Sequence, residues 1–292
     1  MEFALFRCCP TSLFMRQYET STDAVLRRLG VRFRDVKEFN CCGYPLRNLN
    51  FKAYILAAAR NLALAEQRGV GILTVCNCCY GSLKHAQTML SEDHALRDEI
   101  TACLRKESLI YTGQVKVRHL LDVLHKDIGL ISIREKIRRV FRPDLKVATH
   151  YGCRILRPSR TVEFDNPTHP VLFDELVEAT GAESIPWSAK LDCCGSSLWG
   201  TCDELSMDLA QRKIRNARES GATCLCVSCV YCQLQFDRVQ QILLSGRAGT
   251  HQLPSILFPQ LLGLSLGIDP RILGIDRNCL DMQGVMSYLS RD

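Results

Sequence analysis

Apolar positions along this chain alternate between two periods, and the alternation recurs. Phe3-Ala4-Leu5-Phe6 is a short run of strand type, followed by a helix expected from about Ser21 that closes at Gly30. Val31-Arg32-Phe33-Arg34-Asp35-Val36 alternates apolar and charged residues, as a half-exposed strand does. The Ala- and Leu-rich stretch from Phe51 to Arg68 predicts a helix with Gly69 at its end. Gly71-Ile72-Leu73-Thr74-Val75 then reads as a buried strand, with helix from Tyr80 onward. Between Glu99 and Asp144, Val117, Leu120, Leu121 and Leu124 stand at helical spacing, and Pro143 ends the stretch. From Lys146 to Cys153 the chain repeats Glu2 to Cys9 at a constant offset, so the unit restarts. Thr201-Cys202-Asp203-Glu204 has the form of a capping box opening a helix toward Ser220 and Gly221, and Thr223 to Val227 reads as the next strand. The expected fold is therefore α/β: two duplicated units, each with a largely parallel sheet. The units occupy 1–98 and 145–292, the second with a C-terminal helical extension, and a helical connector spans 99–144. Ligands in such sheets collect at the strand ends.

Cysteine spacing gives the duplication its chemistry. Cys9 precedes Cys41-Cys42-Gly43 by 31 residues, and Cys76-Asn77-Cys78-Cys79 follows that glycine after 32. In the second half Cys153 precedes Cys193-Cys194-Gly195 by 39 residues, and Cys229-Val230-Tyr231-Cys232 follows after 33. Five cysteines recurring in one order point to a repeated metal-binding unit. Five thiolates are one more than a tetrahedral zinc or a cubane 4Fe-4S cluster needs. The fifth either bridges two irons or serves as an exchangeable ligand. Two adjacent thiols reach one compact centre only if the backbone turns sharply, which Gly43 and Gly195 permit. Turn N–H groups then face the negative charge.

Composition narrows the setting. At 292 residues and 47% hydrophobic content, the chain has enough apolar material for two cores. Seventeen cysteines without a basic and apolar leader at Met1-Glu2-Phe3-Ala4 are expected in a reducing, cytoplasmic compartment. The net charge of +6 is spread out, with short clusters such as Arg27-Arg28 and Arg138-Arg139, and gives no nucleic-acid footprint. The uncharged stretch between Arg247 and Asp269 is interrupted by Thr250, His251, Gln252, Pro254, Pro259 and Gln260. It is expected to be a buried or subunit-contacting helix rather than a membrane span.

These signatures, together with Asn61-Leu62-Ala63-Leu64-Ala65 and Gln260-Leu261-Leu262-Gly263-Leu264, resemble the B-type subunit of heterodisulfide reductase over nearly the whole chain. The resemblance implies CCG-type units, two noncubane 4Fe-4S clusters, and disulfide cleavage or formation between the paired clusters. It assigns Cys9, Cys41, Cys42, Cys76 and Cys79 to the first cluster and Cys153, Cys193, Cys194, Cys229 and Cys232 to the second. Its implied partners are an iron-sulfur protein resembling the C-type subunit of that enzyme, a flavin-containing A-type subunit, and a thiol or disulfide substrate. No GxGxxG element opens a helix here, which places any flavin in another polypeptide. The family usually has glycines where this chain has Cys8 and Cys78, so these two stand as extra candidate ligands and the first site as the divergent one. The Arg7-Cys8-Cys9-Pro10 opening is similar to the related proteins of sulfur-oxidising bacteria, which implies a role in sulfur oxidation.

Lys84, His85 and His150 lie near the signatures in sequence and are candidates for assisting thiolate release. Tyr80, Trp199 and Tyr231 are candidates for a cleft wall, against the plainer role of excluding water. Cys103, Cys202, Cys224, Cys226 and Cys279 are expected to be buried small hydrophobes. The rival reading is a noncatalytic module that binds clusters or zinc for assembly or electron relay.

Overall fold

A computed structural model describes residues 2–9, 14–246 and 252–290. Two four-stranded parallel sheets form its framework. In the first, β1 (Glu2–Phe6), β2 (Arg32–Asp35), β3 (Gly71–Thr74) and β4 (Val117–His119) are arranged in the order β2-β1-β3-β4. In the second, β5 (Lys146–His150), β6 (Glu183–Ser184), β7 (Cys224–Val227) and β8 (Ser255–Leu257) repeat it as β6-β5-β7-β8. Phe3 lies opposite Gly71 in the first register and Val147 opposite Cys224 in the second. The chain enters each sheet at an inner strand, adds one neighbour, then crosses back to the other side. That reversal creates a switch point at the carboxyl ends of β1 and β3, and of β5 and β7.

The α/β architecture with duplicated parallel sheets is as the sequence pattern expects, and local rules explain most elements. The helix Phe51–Gln67 starts where the Asn50 side chain accepts from Ala53 N–H, and its alanines let Ala58, Ala59 and Ala63 bury completely. Its counterpart Asp203–Glu219 has the same length and the same spacing from its Cys-Cys-Gly. The expected capping box does not form: Cys202 is the N-cap without a side-chain bond, and the Asp203 carboxylate instead accepts from Gly200 N–H. Two acidic residues in the first turn still match the helix dipole.

Tertiary packing overrides the local reading elsewhere. The first helix begins at Arg16, a turn before Ser21, because Gln17 and Tyr18 are buried and Tyr18 Oη donates to the Ser228 carbonyl at 2.7 Å. The stretch 99–144, expected to be helical, also contributes β4 to the first sheet, where β3 leaves an edge for Val117 and His119 to cover. The apolar stretch near the C-terminus forms β8 followed by the buried helix Phe258–Ser265 rather than one helix; its Arg247, Thr250 and His251 lie outside the described residues, as does Pro10. Among the described residues no helix is long and apolar enough to cross a membrane.

The division at 98/99 and 144/145 follows the repeat along the chain, whereas compactness groups different segments. One compact unit consists of Met1–Cys9, Val31–Leu120 and Arg154–Phe164. The other consists of Pro10–Gly30, Leu121–Cys153 and Asp165–Asp292. Each unit contains one sheet and one full set of five signature cysteines.

Candidate metal centres

Within the first unit, three loops at the carboxyl ends of β1, β2 and β3 bring their thiols together. Cys9 Sγ lies 3.8 Å from Cys41 Sγ. Cys42 contacts both Cys41 and Cys79, and Cys79 in turn contacts Cys76. Cys8 joins this group, with its sulfur and those of Cys76 and Cys79 all within 4.8 Å of one another. Cys78 sits in the first turn of the helix Asn77–Glu92, its sulfur within 4.8 Å of that of Cys76. The chain thus gathers the five signature thiols and adds Cys8 as a sixth.

The second unit builds the same arrangement from β5, β6 and β7. Cys153 meets Cys193, Cys193 meets Cys194, and Cys194 Sγ lies 3.5 Å from Cys232 Sγ, which contacts Cys229. Gly152 occupies the place of Cys8. Instead His150, the last residue of β5, brings a ring nitrogen within 4.8 Å of the sulfurs of Cys194 and Cys232. The corresponding residue of β1 is Phe6.

The Cys-Cys-Gly turns explain how adjacent thiols share one centre. Gly43 and Gly195 both have φ of +83°, a left-handed conformation that a side chain strains. Space forbids a side chain as well: a Cβ would stand 2.6 Å from the Tyr54 carbonyl oxygen at Gly43 and 2.7 Å from the Ser206 carbonyl oxygen at Gly195. The helix behind each turn therefore packs directly on the glycine. At the second turn Gly195 N–H points at Cys193 Sγ, 3.4 Å away.

Charge separates within each cysteine pair. Hydrogen bonds from Cys42 and Cys9, then the Gly43 N–H, hold the Cys41 thiol well below its ordinary range; Cys153, Cys194 and the Gly195 N–H do the same for Cys193. Their neighbours Cys42 and Cys194 are pushed up, first by donating to that thiolate and then by burial. Cys9 and Cys193 are exposed while Cys42, Cys76, Cys79, Cys194, Cys229 and Cys232 are buried, so each centre has a dry floor and an open edge. All seventeen cysteines are free of disulfides. A convergent set of five thiols from three loops, with turn N–H groups facing sulfur, fits an iron-sulfur cluster as ligand chemistry.

Two buried polar side chains tie the loop before each turn to the helix behind it. In the first unit Asn61 accepts from Asn40 N–H and donates to the carbonyls of Asn40, Cys41 and Ala57. At the equivalent place in the second unit stands Lys213, which donates to the carbonyls of Ala189 and Asp192 and lies 4.6 Å over the Trp187 ring. Burial lowers the Lys213 ammonium to about 8, against the opposing pull of Asp192 and of Cys194, Cys232 and Cys193. Burial and then the Lys213 charge hold His150 well below its ordinary value, and neither His150 nitrogen meets a partner at good hydrogen-bond geometry. Proximity to the signatures in sequence singles out His150 but not Lys213; the signal for Lys213 lies in sliding one Cys-Cys-Gly copy over the other, which aligns it with Asn61.

The remaining candidates separate from the thiols. Lys84 pairs with Glu163 at 3.7 Å, and His85 bonds Tyr54 Oη at 3.0 Å, its pKa lowered by burial and then by Arg154 and Arg47. Tyr80 Oη donates to the Val162 carbonyl at 2.7 Å, Tyr231 is half-buried, and Trp199 is exposed. Cys224 and Cys226 are buried as expected, but Cys103 and Cys202 are exposed and Cys279 half-buried, since helix ends and loops present them to water.

Comparison with known proteins agrees with this geometry. The cysteine-rich domain family CCG matches residues 3–84 and 147–237. The B-type subunit of a ferredoxin/F(420)H(2)-dependent CoB-CoM heterodisulfide reductase from Methanosarcina acetivorans is 36% identical over 96% of this chain and 94% of its own. The B-type subunit of a ferredoxin:CoB-CoM heterodisulfide reductase from Methanosarcina mazei is 36% identical over 90% and 88%. An 8-methylmenaquinol:fumarate reductase membrane anchor subunit of Wolinella succinogenes is 33% identical over 96% and 97%. Among solved structures, a hypothetical protein from Helicobacter pylori superposes with a TM-score of 0.73 at 17% identity, over 95% of this chain and 51% of that one, a likeness of fold.

Proposed function

Because the chain belongs to the cysteine-rich CCG domain family, as an iron-sulfur protein like the B-type subunits of heterodisulfide reductase, we propose that it is the catalytic component of a thiol-disulfide oxidoreductase complex. The observation that carries this reading is the convergence of five signature thiols in each of two units. Cys9, Cys41, Cys42, Cys76 and Cys79 would hold one noncubane 4Fe-4S cluster, with Cys8 as an exchangeable sixth thiol, and Cys153, Cys193, Cys194, Cys229 and Cys232 the other. Together the two clusters supply a pair of one-electron centres, the number a two-electron disulfide couple requires.

The chain's own residues shape that chemistry. The exposed edges at Cys9 and Cys193 leave room for a sulfur-bearing substrate, and the buried thiols exclude water from the opposite side. Gly43 and Gly195 turn the backbone so that N–H groups face the anionic sulfurs. His150 places a ring nitrogen beside the Cys194 and Cys232 sulfurs. Electrons arrive from an iron-sulfur partner resembling the C-type subunit of heterodisulfide reductase, with flavin chemistry in a protein resembling its A-type subunit. The Cys8-Cys9 opening favours a role in sulfur oxidation.

Anaerobic purification with iron and acid-labile sulfide assays tests cluster binding; about eight irons per chain are expected from two four-iron clusters. Adding a disulfide or thiol to the oxidised protein should change its paramagnetic spectrum. A spectrum indifferent to every disulfide and thiol offered assigns the chain to electron relay instead.

A further inference from the structure

Lys213 is 1% exposed on the inner face of the helix Asp203–Glu219, and its hydrogen bonds go to two carbonyls rather than to a carboxylate. A buried ammonium without a counter-ion is strongly disfavoured, so a protein retains one where negative charge matches it. The negative groups acting on it from within the unit are Asp192, at the edge of the same turn, and then the second-site cysteines Cys194, Cys232 and Cys193. The duplication supplies an internal control. At the same distance from its own triplet the first unit has Asn61, which ties the same loop through the same carbonyl position but carries no charge. The helices behind both turns dock alike, each packing a carbonyl oxygen against the glycine. Anchoring the loop therefore does not require a cation, and the lysine has a second task.

We infer that Lys213 is a positioning residue that compensates charge at the second centre, its positive charge favouring the reduced, more anionic state of the cluster held by Cys153, Cys193, Cys194, Cys229 and Cys232. The inference rests on the cluster reading above. It assigns an electrostatic difference between two centres with the same signature, built from one exchange on the helix behind the turn. A charge in a dry interior acts with little screening, whereas Arg47 and Arg154 of the first unit are only half-buried.

The test is a potentiometric titration of the full chain, followed by electron paramagnetic resonance, on wild type and on Lys213→Asn, which installs the residue the first unit already uses. One of the two one-electron steps should move to lower potential by a tenfold change in its equilibrium, about 59 mV for a one-electron couple, while the other stays in place. Lys213→Arg should hold the wild-type potential. Should Lys213→Asn fail to accumulate as folded protein, Lys213→Gln carries the same expectation. Full iron content with both steps unmoved in the amide variant overturns the inference, and so does an equal fall in the arginine variant. A wild-type chain devoid of iron overturns the cluster reading itself, an outcome read from the iron assay before any titration.

Discussion

The two centres use one plan with opposite economies of polarity. The first is rich in sulfur and poor in internal charge: Cys8 adds a sixth thiol, Phe6 lines the strand end, and a neutral Asn61 holds the loop. The second is leaner in sulfur and richer in polar groups: Gly152 replaces the extra thiol, His150 replaces the phenyl ring, and Lys213 replaces the amide. The strand ends are anchored differently too. Arg7 pairs with Asp35 at 2.9 Å at a half-exposed position, whereas Asp174 collects Thr149, Tyr151, Ser184 and Lys190 in a largely buried network. The two units share the convergence of thiols and differ in what surrounds it. That is the expected order, since a displaced ligand loses the metal while a changed neighbour adjusts it.

The largest effect that separates the two centres is loss of one cluster. Cys42→Ala and Cys194→Ala should each lower the iron content by about half, from separate sites. If either variant empties both sites, the independence of the two centres fails. Next, Asp174→Ala should cost the second unit about 3 kcal/mol, because it strips a buried network of its shared acceptor and leaves the Lys190 ammonium without its partner. A chemical denaturation midpoint reads this, and Asp35→Ala at the exposed pair should shift it by about 0.5 kcal/mol. Gly43→Ala and Gly195→Ala should cost about 2 kcal/mol each, from left-handed strain and the close carbonyl behind each turn. Equal costs at both glycines would sharpen the view that the turn is the shared part. Below the glycine variants comes Tyr54→Phe, about 1 kcal/mol for lost hydrogen bonding to His85, with no iron lost.

Much of this was legible from the sequence because the duplication reports on itself. Two copies of one spacing pick out the cysteines that converge even where secondary structure is ambiguous, and the strands before Cys9, Cys76, Cys153 and Cys229 follow from short apolar runs. What escaped depends on contacts distant in sequence. Tyr18 extends its helix through a bond to Ser228, and β4 forms because β3 offers an open edge, neither of which has a local signal. Lys213 reads as one more surface lysine on an amphipathic helix until the loop carbonyls close over it. Cys202 and Cys103 look like small core residues by type, yet a helix end and a polar helix face expose them.

The interleaving of the compact units bears on how such a protein can be taken apart or evolve. Residues of one unit alternate along the chain with residues of the other, so no single cut releases either body whole and alone. A fragment ending at residue 144 would carry the first sheet but lack Arg154–Phe164, and the remainder would carry the second sheet but lack Pro10–Gly30. A lineage with this architecture cannot discard its divergent centre by truncation. Such a centre is open to change only in place, by substitution.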